Sequence, residues 1–221
     1  MRNVNLESIE NDFHHRMSCI RDLINATHPN ADLSDESPRI SPTVQKSVRG
    51  LVIVMLFGAY EKTVKSLCQE LIETASTFRG KQKNLTMPFR LIGIFNQINA
   101  LRDQSIKRST IWERTLPDLL GRIEGDASLL CNTWPDNGEY MKRSQLKLFC
   151  RVFNLSQALQ QLGPINDKLD MIVVERNQIA HGELTAEEVG RRYSETEIRS
   201  LVDEWETRWT SFFDISLIDC G

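Results

Sequence analysis

Apolar residues recur at steps of three and four along most of the chain, which is the spacing of amphipathic α-helices. The first such stripe covers residues 6–24, and its helix should end before Pro29, because the residue preceding a proline is pushed out of the α region. Ser41 and the proline after it give a strong helix start. The helix that follows should run to about Phe78. It should lie at the centre of the fold, because residues 51–59 are apolar on nearly every side.

Shorter helical patterns follow over residues 88–101, 116–123, 144–162, 165–179 and 198–212. Thr185 and Ser194 are each followed three positions later by a glutamate, which predicts two capped helix starts, and residues 135–138 predict a turn. No stretch alternates with the period of a β-strand, so the chain is predicted to be all-α and to form one domain over residues 1–221. In this predicted helical bundle the long helix is central, and an extra helix lies at the N-terminus, within residues 1–30.

Composition restricts the kind of protein that the chain can be. It has 221 residues, of which 26% are charged, and a formal net charge of -3, so its overall field would not attract nucleic acid. The most apolar run, residues 51–60, is too short to cross a bilayer, and the N-terminus has no apolar signal segment. The five cysteines show no CxxC spacing, and the adjacent His14 and His15 diverge by about 100° on a helix, so no metal site is predicted. These features predict a soluble cytoplasmic protein without a cofactor.

One short segment, residues 176–182 with the sequence Arg-Asn-Gln-Ile-Ala-His-Gly, carries the side chains most suited to chemistry. An arginine can stabilise a phosphorane, and a histidine can move protons near neutral pH. The spacing alone is weak, since roughly one such pair is expected by chance in a chain of this composition. Arg21 and His28 form another such pair at the end of the first predicted helix, where capping explains them.

The position of Arg176 adds to the spacing. On a continuous helix it lies near the middle of the apolar stripe, so it needs a partner, and one interpretation is a structural salt bridge to a glutamate of the long helix. Arg176 and His181 would point roughly 140° apart on an ideal helix. They form one site if the helix ends or bends near Gly182, a natural left-handed C-cap, or if a second copy of the chain completes the site. His181 alone is also consistent with a capping imidazole that favours the helix dipole.

Residues 176–182 closely resemble the signature of the HEPN superfamily, Arg-Asn-x-x-Ala-His-Gly. The order of elements is also similar, since a long helix with an internal glutamate, Glu61, precedes the motif helix and a C-terminal helix. The chain looks most like the stand-alone bacterial HEPN-type endoribonucleases of the RiboL-PSP-HEPN group, with a likeness over about residues 42–218. The resemblance implies a helical bundle that forms a homodimer in which two motifs face one cleft.

The resemblance also implies a function. It implies a metal-independent endoribonuclease with Arg176 and His181 as catalytic residues. Asn177 would orient them, and Glu61 would assist. The 2′-hydroxyl of RNA would attack the adjacent phosphorus and leave a 2′,3′-cyclic phosphate. Such an enzyme would be a toxin or a phage-defence effector restrained by an antitoxin protein, and two alternatives stay open: a non-catalytic HEPN module, such as an antitoxin or adaptor, and an all-α scaffold protein.

RNA needs a positive surface on which to approach such a site. The chain has four basic clusters, which are Arg79/Lys81/Lys83, Arg102/Lys107/Arg108, Lys142/Arg143 and Arg191/Arg192. Two of these clusters supply the candidates for RNA binding, namely Arg79, Lys81, Lys142 and Arg143. A cluster of this kind is more often a solvated surface than a binding site.

Overall fold

The computed structural model describes residues 4–28, 40–129, 135 and 138–219, with the backbone alone for residues 216–219. These residues form helices and turns, and the isolated bridge between Lys81 and Asp126 is the one strand-type pairing among them, so the all-α prediction is confirmed. In chain order the α-helices are α1 (Glu7–Thr27), α2 (Pro42–Ser76), α3 (Met87–Gly93), α4 (Phe95–Arg102), α5 (Arg108–Thr110), α6 (Leu116–Glu124), α7 (Arg143–Val152), α8 (Ser156–Gln161), α9 (Asn166–Ala180), α10 (Ala186–Gly190) and α11 (Glu195–Asp219). Shorter 3-10 and π-helical turns add Gln82–Asn84, Ile111–Thr115 and Gly163–Ile165. No helix in the described ranges combines the length and apolar character needed to span a bilayer.

The chain divides into two compact units. The smaller unit is built from Leu67–Pro135, and the larger unit is built from Leu6–Ser66 and Asp136–Asp219. The larger unit contains the 176–182 motif. The interpretation of residues 1–221 as a single domain stays a prediction.

The core of the larger unit is built around α11. Trp205 and Trp209, whose helical spacing along the last predicted helix favours the core, are both fully buried. The centroid of the Trp209 ring lies 5.5 Å from that of Tyr60 on α2 and 6.3 Å from that of Phe13 on α1. α8 also packs along α11. The N-terminal helix is therefore an integral part of this core.

The first two helices have nearly the predicted bounds. α1 ends at Thr27, just before the proline that was expected to stop it. α2 begins as predicted, because the Ser41 side chain accepts a hydrogen bond from the Val44 N–H at 3.3 Å. It ends at Ser76, slightly before the predicted end. The two residues after it form i→i−3 hydrogen bonds, which tighten the last turn.

Two predicted helices are each divided in the structure. Residues 144–162 form α7 and α8, because Asn154 adopts a left-handed conformation with φ of 60°. The Leu155 N–H reaches back to a carbonyl in the last turn of α7 at 2.7 Å, which makes a Schellman motif with asparagine in the place of the usual glycine. The helix predicted over residues 88–101 is likewise divided, at Ile94. The prediction of helix was correct for both segments, but the prediction of continuity was wrong.

Within the larger unit, the first part of α2 and α10 cross at very short range. A Cβ added to Gly50 of α2 would lie 1.9 Å from the carbonyl oxygen of Ala186. A Cβ added to Gly190 of α10 would lie 1.8 Å from the carbonyl oxygen of Lys46. The two backbones are therefore in direct contact, and only glycine fits at the crossing.

Both capping boxes predicted after the motif are present. Thr185 and Glu188 exchange hydrogen bonds at the start of α10. Ser194 and Glu197 do the same at the start of α11. Because the α2–α10 crossing holds α10 in place, these caps fix the path of the chain directly after the motif.

The smaller unit contains α3 to α6. Gln82 is buried there and links two segments: its backbone N–H donates to the Gly125 carbonyl at 3.0 Å, and its side-chain amide donates to the Arg90 carbonyl at 3.1 Å. The short helix predicted over residues 116–123 is confirmed as α6. The turn predicted over residues 135–138 lies partly outside the described residues.

Candidate active site

Arg176 lies on α9, at the edge of the helix face that packs into the core. Leu169 and Ile172 of this helix are fully buried, whereas the Arg176 side chain is 23% exposed. Its guanidinium stacks on the Phe57 ring of α2, with its central carbon 3.8 Å from the ring centroid. This contact favours the cation and holds the guanidinium against the ring. Arg176 is therefore held against the core while part of its surface stays accessible.

Two polar side chains bind Arg176. The Glu61 carboxylate of α2 forms an ion pair with it, with 3.7 Å between Glu61 Oε2 and Arg176 Nη2. The Asn177 Oδ1 accepts a hydrogen bond from Arg176 Nη1 at 2.9 Å. The ion pair is the contact that a structural role for Arg176 requires, and the hydrogen bond fits an orienting role for Asn177. Because 3.7 Å exceeds a hydrogen-bond distance, Glu61 leaves guanidinium donors available.

Glu61 also belongs to a cluster that sequence reasoning missed. Its Oε1 accepts hydrogen bonds from Lys65 Nζ at 2.7 Å and from the Tyr140 hydroxyl, and Lys65 Nζ also donates to the Tyr140 oxygen at 2.6 Å. Partial burial raises the pKa of Glu61, but these hydrogen bonds and the nearby cations outweigh it and hold the pKa below its ordinary value. Glu61 is therefore ionised at neutral pH. Lys65 could have been found from its helical spacing to Glu61, whereas no local signal points to Tyr140.

The loop before α7 places Tyr140. Met141 in this loop is buried and has a positive φ of 56°. Its carbonyl accepts a hydrogen bond from the buried Tyr60 hydroxyl at 3.0 Å, and its N–H donates to the Gln145 side chain at 2.9 Å. Tyr60 and Glu61 are neighbours on α2. The same stretch of α2 therefore fixes the loop backbone and accepts the Tyr140 hydroxyl.

α9 ends at the histidine of the motif. The N–H groups of Gly182 and Glu183 donate to carbonyls of the last turn at 3.1 and 2.9 Å, which is a Schellman motif. Gly182 has a φ of 72°, the left-handed conformation predicted for it. His181 occupies the C-cap position and is exposed. Among the residues that the structure describes, none forms a hydrogen bond or an ion pair with its ring, so the imidazole is open to a ligand.

Arg176 and His181 point to different sides of α9. The helix is continuous to Ala180, and the His181 N–H still donates to the carbonyl four residues earlier, at 2.9 Å. Five helical steps of about 100° each leave the two side chains roughly 140° apart around the axis. His181, at the C-cap, still has helical backbone angles, so the end of α9 does not turn the two groups toward each other within one chain.

The other arginine–histidine pair of the chain is structural. Arg21 binds Asp203 at 2.7 Å and also binds Glu206. His28 is buried at the end of α1, with Nδ1 3.0 Å from the Thr27 hydroxyl, and burial lowers its pKa. Both members of this pair are engaged within the protein. The motif histidine differs from His28 because its ring is exposed.

Glu175 anchors the motif helix to the chain that follows it. It is 5% exposed, and its carboxylate oxygens accept hydrogen bonds from Arg192 at 2.9 Å and from the Tyr193 hydroxyl at 2.5 Å. Burial and this carboxylate raise the pKa of Tyr193, so its hydroxyl stays a donor. Arg192, which the sequence placed in a basic surface cluster, is 47% exposed and forms an ion pair with the buried Glu175.

Replacing Glu175 by glutamine is expected to lower the free energy of unfolding by about 1–2 kcal/mol, because charge-assisted hydrogen bonds are stronger than those of an amide. Thermal denaturation followed by circular dichroism measures the change. Glu183→Gln makes the same chemical change at an exposed position and should leave the midpoint unchanged. Equal midpoints for Glu175→Gln and the wild type would show that this anchor adds nothing to stability.

The four basic residues considered for RNA binding all have partners in the protein. Their contacts are Lys142 with Glu139 at 3.5 Å, Arg143 with Asp167 at 3.5 Å, Lys81 with Asp126 at 2.9 Å and Arg79 with the Ser76 carbonyl at 3.4 Å. Surface ion pairs such as the first three are weak, so a phosphate could displace them. Lys142 and Arg143 belong to the same unit as the motif, whereas Arg79 and Lys81 belong to the smaller unit. Their role in RNA binding stays a prediction.

Metal-ligating side chains do not gather at any one place in the described part of the chain. No three His, Cys, Asp or Glu side chains there lie close enough together to hold a metal ion. The adjacent His14 and His15 have separate partners: His14 binds Glu206 at 2.9 Å, and His15 Nε2 lies 3.9 Å from Cys19 Sγ.

Comparison with known protein families agrees with the motif. The model of the RiboL-PSP-HEPN family matches residues 11–204. The matched range begins within α1, earlier than residue 42, and it includes α2 and the whole motif. No curated protein and no solved structure gives a significant match to the chain. Because the family model covers most of its length, the chain belongs to the RiboL-PSP-HEPN family.

Proposed function

We propose that this protein is a metal-independent endoribonuclease with Arg176 and His181 as its catalytic residues. Membership of a HEPN family indicates a role in RNA cleavage or RNA binding. The observation that favours cleavage is the state of the motif. Its imidazole is exposed at a helix end without a partner among the described residues, and its guanidinium is oriented by Asn177 with donors still available. These are the two groups that phosphodiester cleavage needs, in an accessible state.

RNA supplies its own nucleophile, the 2′-hydroxyl. A general base takes the proton of this hydroxyl, and its oxygen attacks the adjacent phosphorus. The bond from phosphorus to the 5′-oxygen then breaks, and a general acid protonates the leaving oxygen. The products are a 2′,3′-cyclic phosphate and a 5′-hydroxyl. His181 would transfer the protons, and Arg176 would bind the nonbridging oxygens, where negative charge develops.

A homodimer would complete this site. One imidazole cannot accept a proton and donate another in the same step, and one chain presents Arg176 and His181 roughly 140° apart. Two motifs that face one cleft would supply two imidazoles and two guanidinium groups. Each guanidinium would be positioned by Asn177 and Glu61 of its own chain.

The biological setting is part of the proposal. Stand-alone HEPN endoribonucleases of the kind that the motif resembles act as toxins or phage-defence effectors, so we assign this role here. The enzyme would act in the cytoplasm on cellular or phage RNA, and an antitoxin protein would restrain it. Arg79, Lys81, Lys142 and Arg143 would contribute to RNA binding.

The contact between Arg176 and Glu61 favours a second candidate function. An arginine whose charge is offset by a carboxylate at 3.7 Å stabilises a transition state less than an unpaired arginine does. A protein with this pair permanently in place would bind RNA or a nucleotide without cleaving it. It would then be a HEPN binding module, such as an antitoxin or adaptor.

Cleavage of RNA in the presence of EDTA tests the proposal. The purified chain should cut a labelled single-stranded RNA and leave 2′,3′-cyclic phosphate ends, which phosphatase resistance and mass spectrometry identify. The same RNA with one 2′-deoxynucleotide at the cut position should stay intact there, because the nucleophile is absent. RNA that is bound but not cut would support the binding module. RNA that is neither bound nor cut would support a scaffold protein.

A further inference from the structure

Tyr140 and Lys65 contact Glu61, the ion-pair partner of Arg176, and have no part in the proposed chemistry. Tyr140 is a large apolar side chain that stays 44% exposed, and the Lys65 side chain is 49% exposed. Lys65 Nζ lies 5.1 Å from the centroid of the Tyr140 ring and 2.6 Å from its hydroxyl oxygen. An accessible aromatic ring and an accessible cation are thus held next to each other, on the carboxylate that pairs with Arg176.

Charges in this cluster leave it attractive to an anion. Arg176 and Lys65 carry two positive charges, and Glu61 offsets one of them. The hydrogen bonds that Lys65 donates to Glu61 and Tyr140 raise the pKa of Lys65, so it stays charged at neutral pH. Glu61 Oε1 accepts hydrogen bonds from Lys65 and Tyr140, whereas Oε2 lies 3.7 Å from Arg176 Nη2. The carboxylate therefore separates two cations, and each of them has accessible surface for a phosphate oxygen.

Tyr140 is held in a fixed place although its ring is exposed. Its hydroxyl donates to Glu61, and the next residue, Met141, is buried and hydrogen-bonded to Tyr60. A ring ordered in advance loses little conformational freedom when a flat ligand stacks on it. An exposed aromatic ring beside cations is the arrangement that proteins use to bind single-stranded nucleic acid, where bases stack on rings and cations follow the backbone.

We propose that Tyr140 and Lys65 form a subsite for the nucleotide next to the scissile phosphate. The Tyr140 ring stacks on the base, and the Lys65 ammonium binds the neighbouring phosphate, one carboxylate away from Arg176. The inference rests on the proposed function and adds a substrate class to it. A base must be unstacked to reach the ring, so the substrate is single-stranded RNA and duplex RNA does not fit. Because stacking is tolerant of base identity, this subsite gives little sequence preference.

Binding of an uncleavable strand tests the subsite separately from catalysis. The probe is a fluorescent single-stranded RNA with 2′-O-methyl groups at every position, and its affinity is measured by fluorescence anisotropy. Tyr140→Ala should weaken binding about 10-fold or more, because the stacking surface is lost. Tyr140→Phe keeps the ring and should bind within about 3-fold of the wild type. A duplex of the same sequence should bind the wild type and Tyr140→Ala equally.

Salt dependence tests the role of Lys65. The logarithm of affinity falls linearly with the logarithm of salt concentration. In Lys65→Met this negative slope should become shallower by about 0.7, the value for one phosphate contact with a single strand. Lys62→Met removes the same charge from an exposed position of the same helix and should keep the wild-type slope. Circular dichroism melts confirm that each variant is folded.

Four results would overturn the subsite. The first is that the wild type does not bind the single strand, and the second is that Tyr140→Ala binds it with wild-type affinity. The third is that Tyr140→Phe and Tyr140→Ala lose the same affinity. The fourth is that Lys65→Met and Lys62→Met have the same salt slope. Equal losses in the two tyrosine variants would assign Tyr140 to positioning Glu61 through its hydroxyl alone. Cleavage of unmodified RNA by the wild type, measured in parallel, shows whether the proposed function itself holds.

Discussion

His181→Ala protein is expected to cleave RNA about 10²- to 10⁴-fold more slowly than the wild type, because the group that transfers protons in the transition state is lost. Arg176→Ala should be slower by about 10²- to 10³-fold, since the negative charge that develops on the phosphorane oxygens loses its counter-charge. Single-turnover rates on an end-labelled single-stranded RNA, in the presence of EDTA, measure both effects. His181 is exposed, so its loss should change the free energy of unfolding by no more than about 0.5 kcal/mol.

Matched variants separate the motif from general effects of substitution. His15 is another exposed histidine of the larger unit, and His15→Ala should keep the wild-type rate. Arg176→Lys keeps the charge but loses the planar guanidinium that stacks on Phe57, so its rate should lie between those of the wild type and Arg176→Ala. Wild-type rates in both alanine variants of the motif would remove it from the chemistry and leave the binding module as the better interpretation.

Mixed dimers extend this prediction to the shared cleft. Wild-type and His181→Ala chains can be co-expressed with different affinity tags, and the heterodimer can be purified by both tags in turn. If one cleft needs both imidazoles, the heterodimer should be almost as slow as the His181→Ala homodimer. Closed two-fold symmetry gives the wild-type dimer two equal sites. If these sites are independent, the heterodimer keeps one intact site and about half of the wild-type rate. Protein that stays monomeric at assay concentrations and still cuts RNA would contradict the dimeric site.

The parts of the fold that local signals determine could be predicted from the sequence. Ser41 caps α2, Gly182 closes α9 in a left-handed conformation, and Thr185 opens α10 with a capping box, each as expected from nearby residues. The division at Asn154 was not predicted, because an asparagine within a helical pattern is compatible with both a continuous helix and a left-handed cap. The buried Leu155 after it favours the cap, through packing that periodicity does not reveal.

The candidate site was predictable to a similar extent. Helical spacing placed Arg176 near the middle of the apolar stripe, whereas it lies at the edge of the buried face with its side chain 23% exposed. Spacing also required a partner for it, and the structure shows Glu61 of α2 as that partner. Spacing also gave the angle between Arg176 and His181. Spacing could not give the contact between Tyr140 and Glu61, because these residues lie 79 positions apart in the sequence. The loop that carries Tyr140 is fixed by a tertiary hydrogen bond from the Tyr60 hydroxyl to the Met141 carbonyl. Contacts of this kind follow from the packing of whole elements.

Gly50→Ala is expected to destabilise the protein by about 2 kcal/mol, which combines overpacking of roughly 3 kcal/mol with a helix-propensity gain of about 1 kcal/mol. The added Cβ would lie 1.9 Å from the Ala186 carbonyl oxygen and 2.7 Å from its carbon, and these are backbone atoms that cannot rotate away. α10 would have to move off α2, and the chain directly after the motif would move with it. Thermal denaturation should show a midpoint lower by about 4–8 °C, given a change of about 2–4 °C per kcal/mol in a chain of this size.

Gly58→Ala is the matched control, because it makes the same substitution on the same helix, and apart from the adjacent backbone of α2 no described atom lies within 4 Å of the added Cβ. It removes the entropic penalty of a glycine within a helix and should raise the stability by about 0.5–1 kcal/mol, so the two variants should shift the midpoint in opposite directions. Equal shifts in the two variants would mean that the α2–α10 crossing does not constrain the fold. A lower midpoint in Gly58→Ala alone would mean that something outside the described part of the chain fills the space beside Gly58. Comparing the molar mass of Gly58→Ala and wild-type protein in solution would then show whether that occupant is a second copy of the chain.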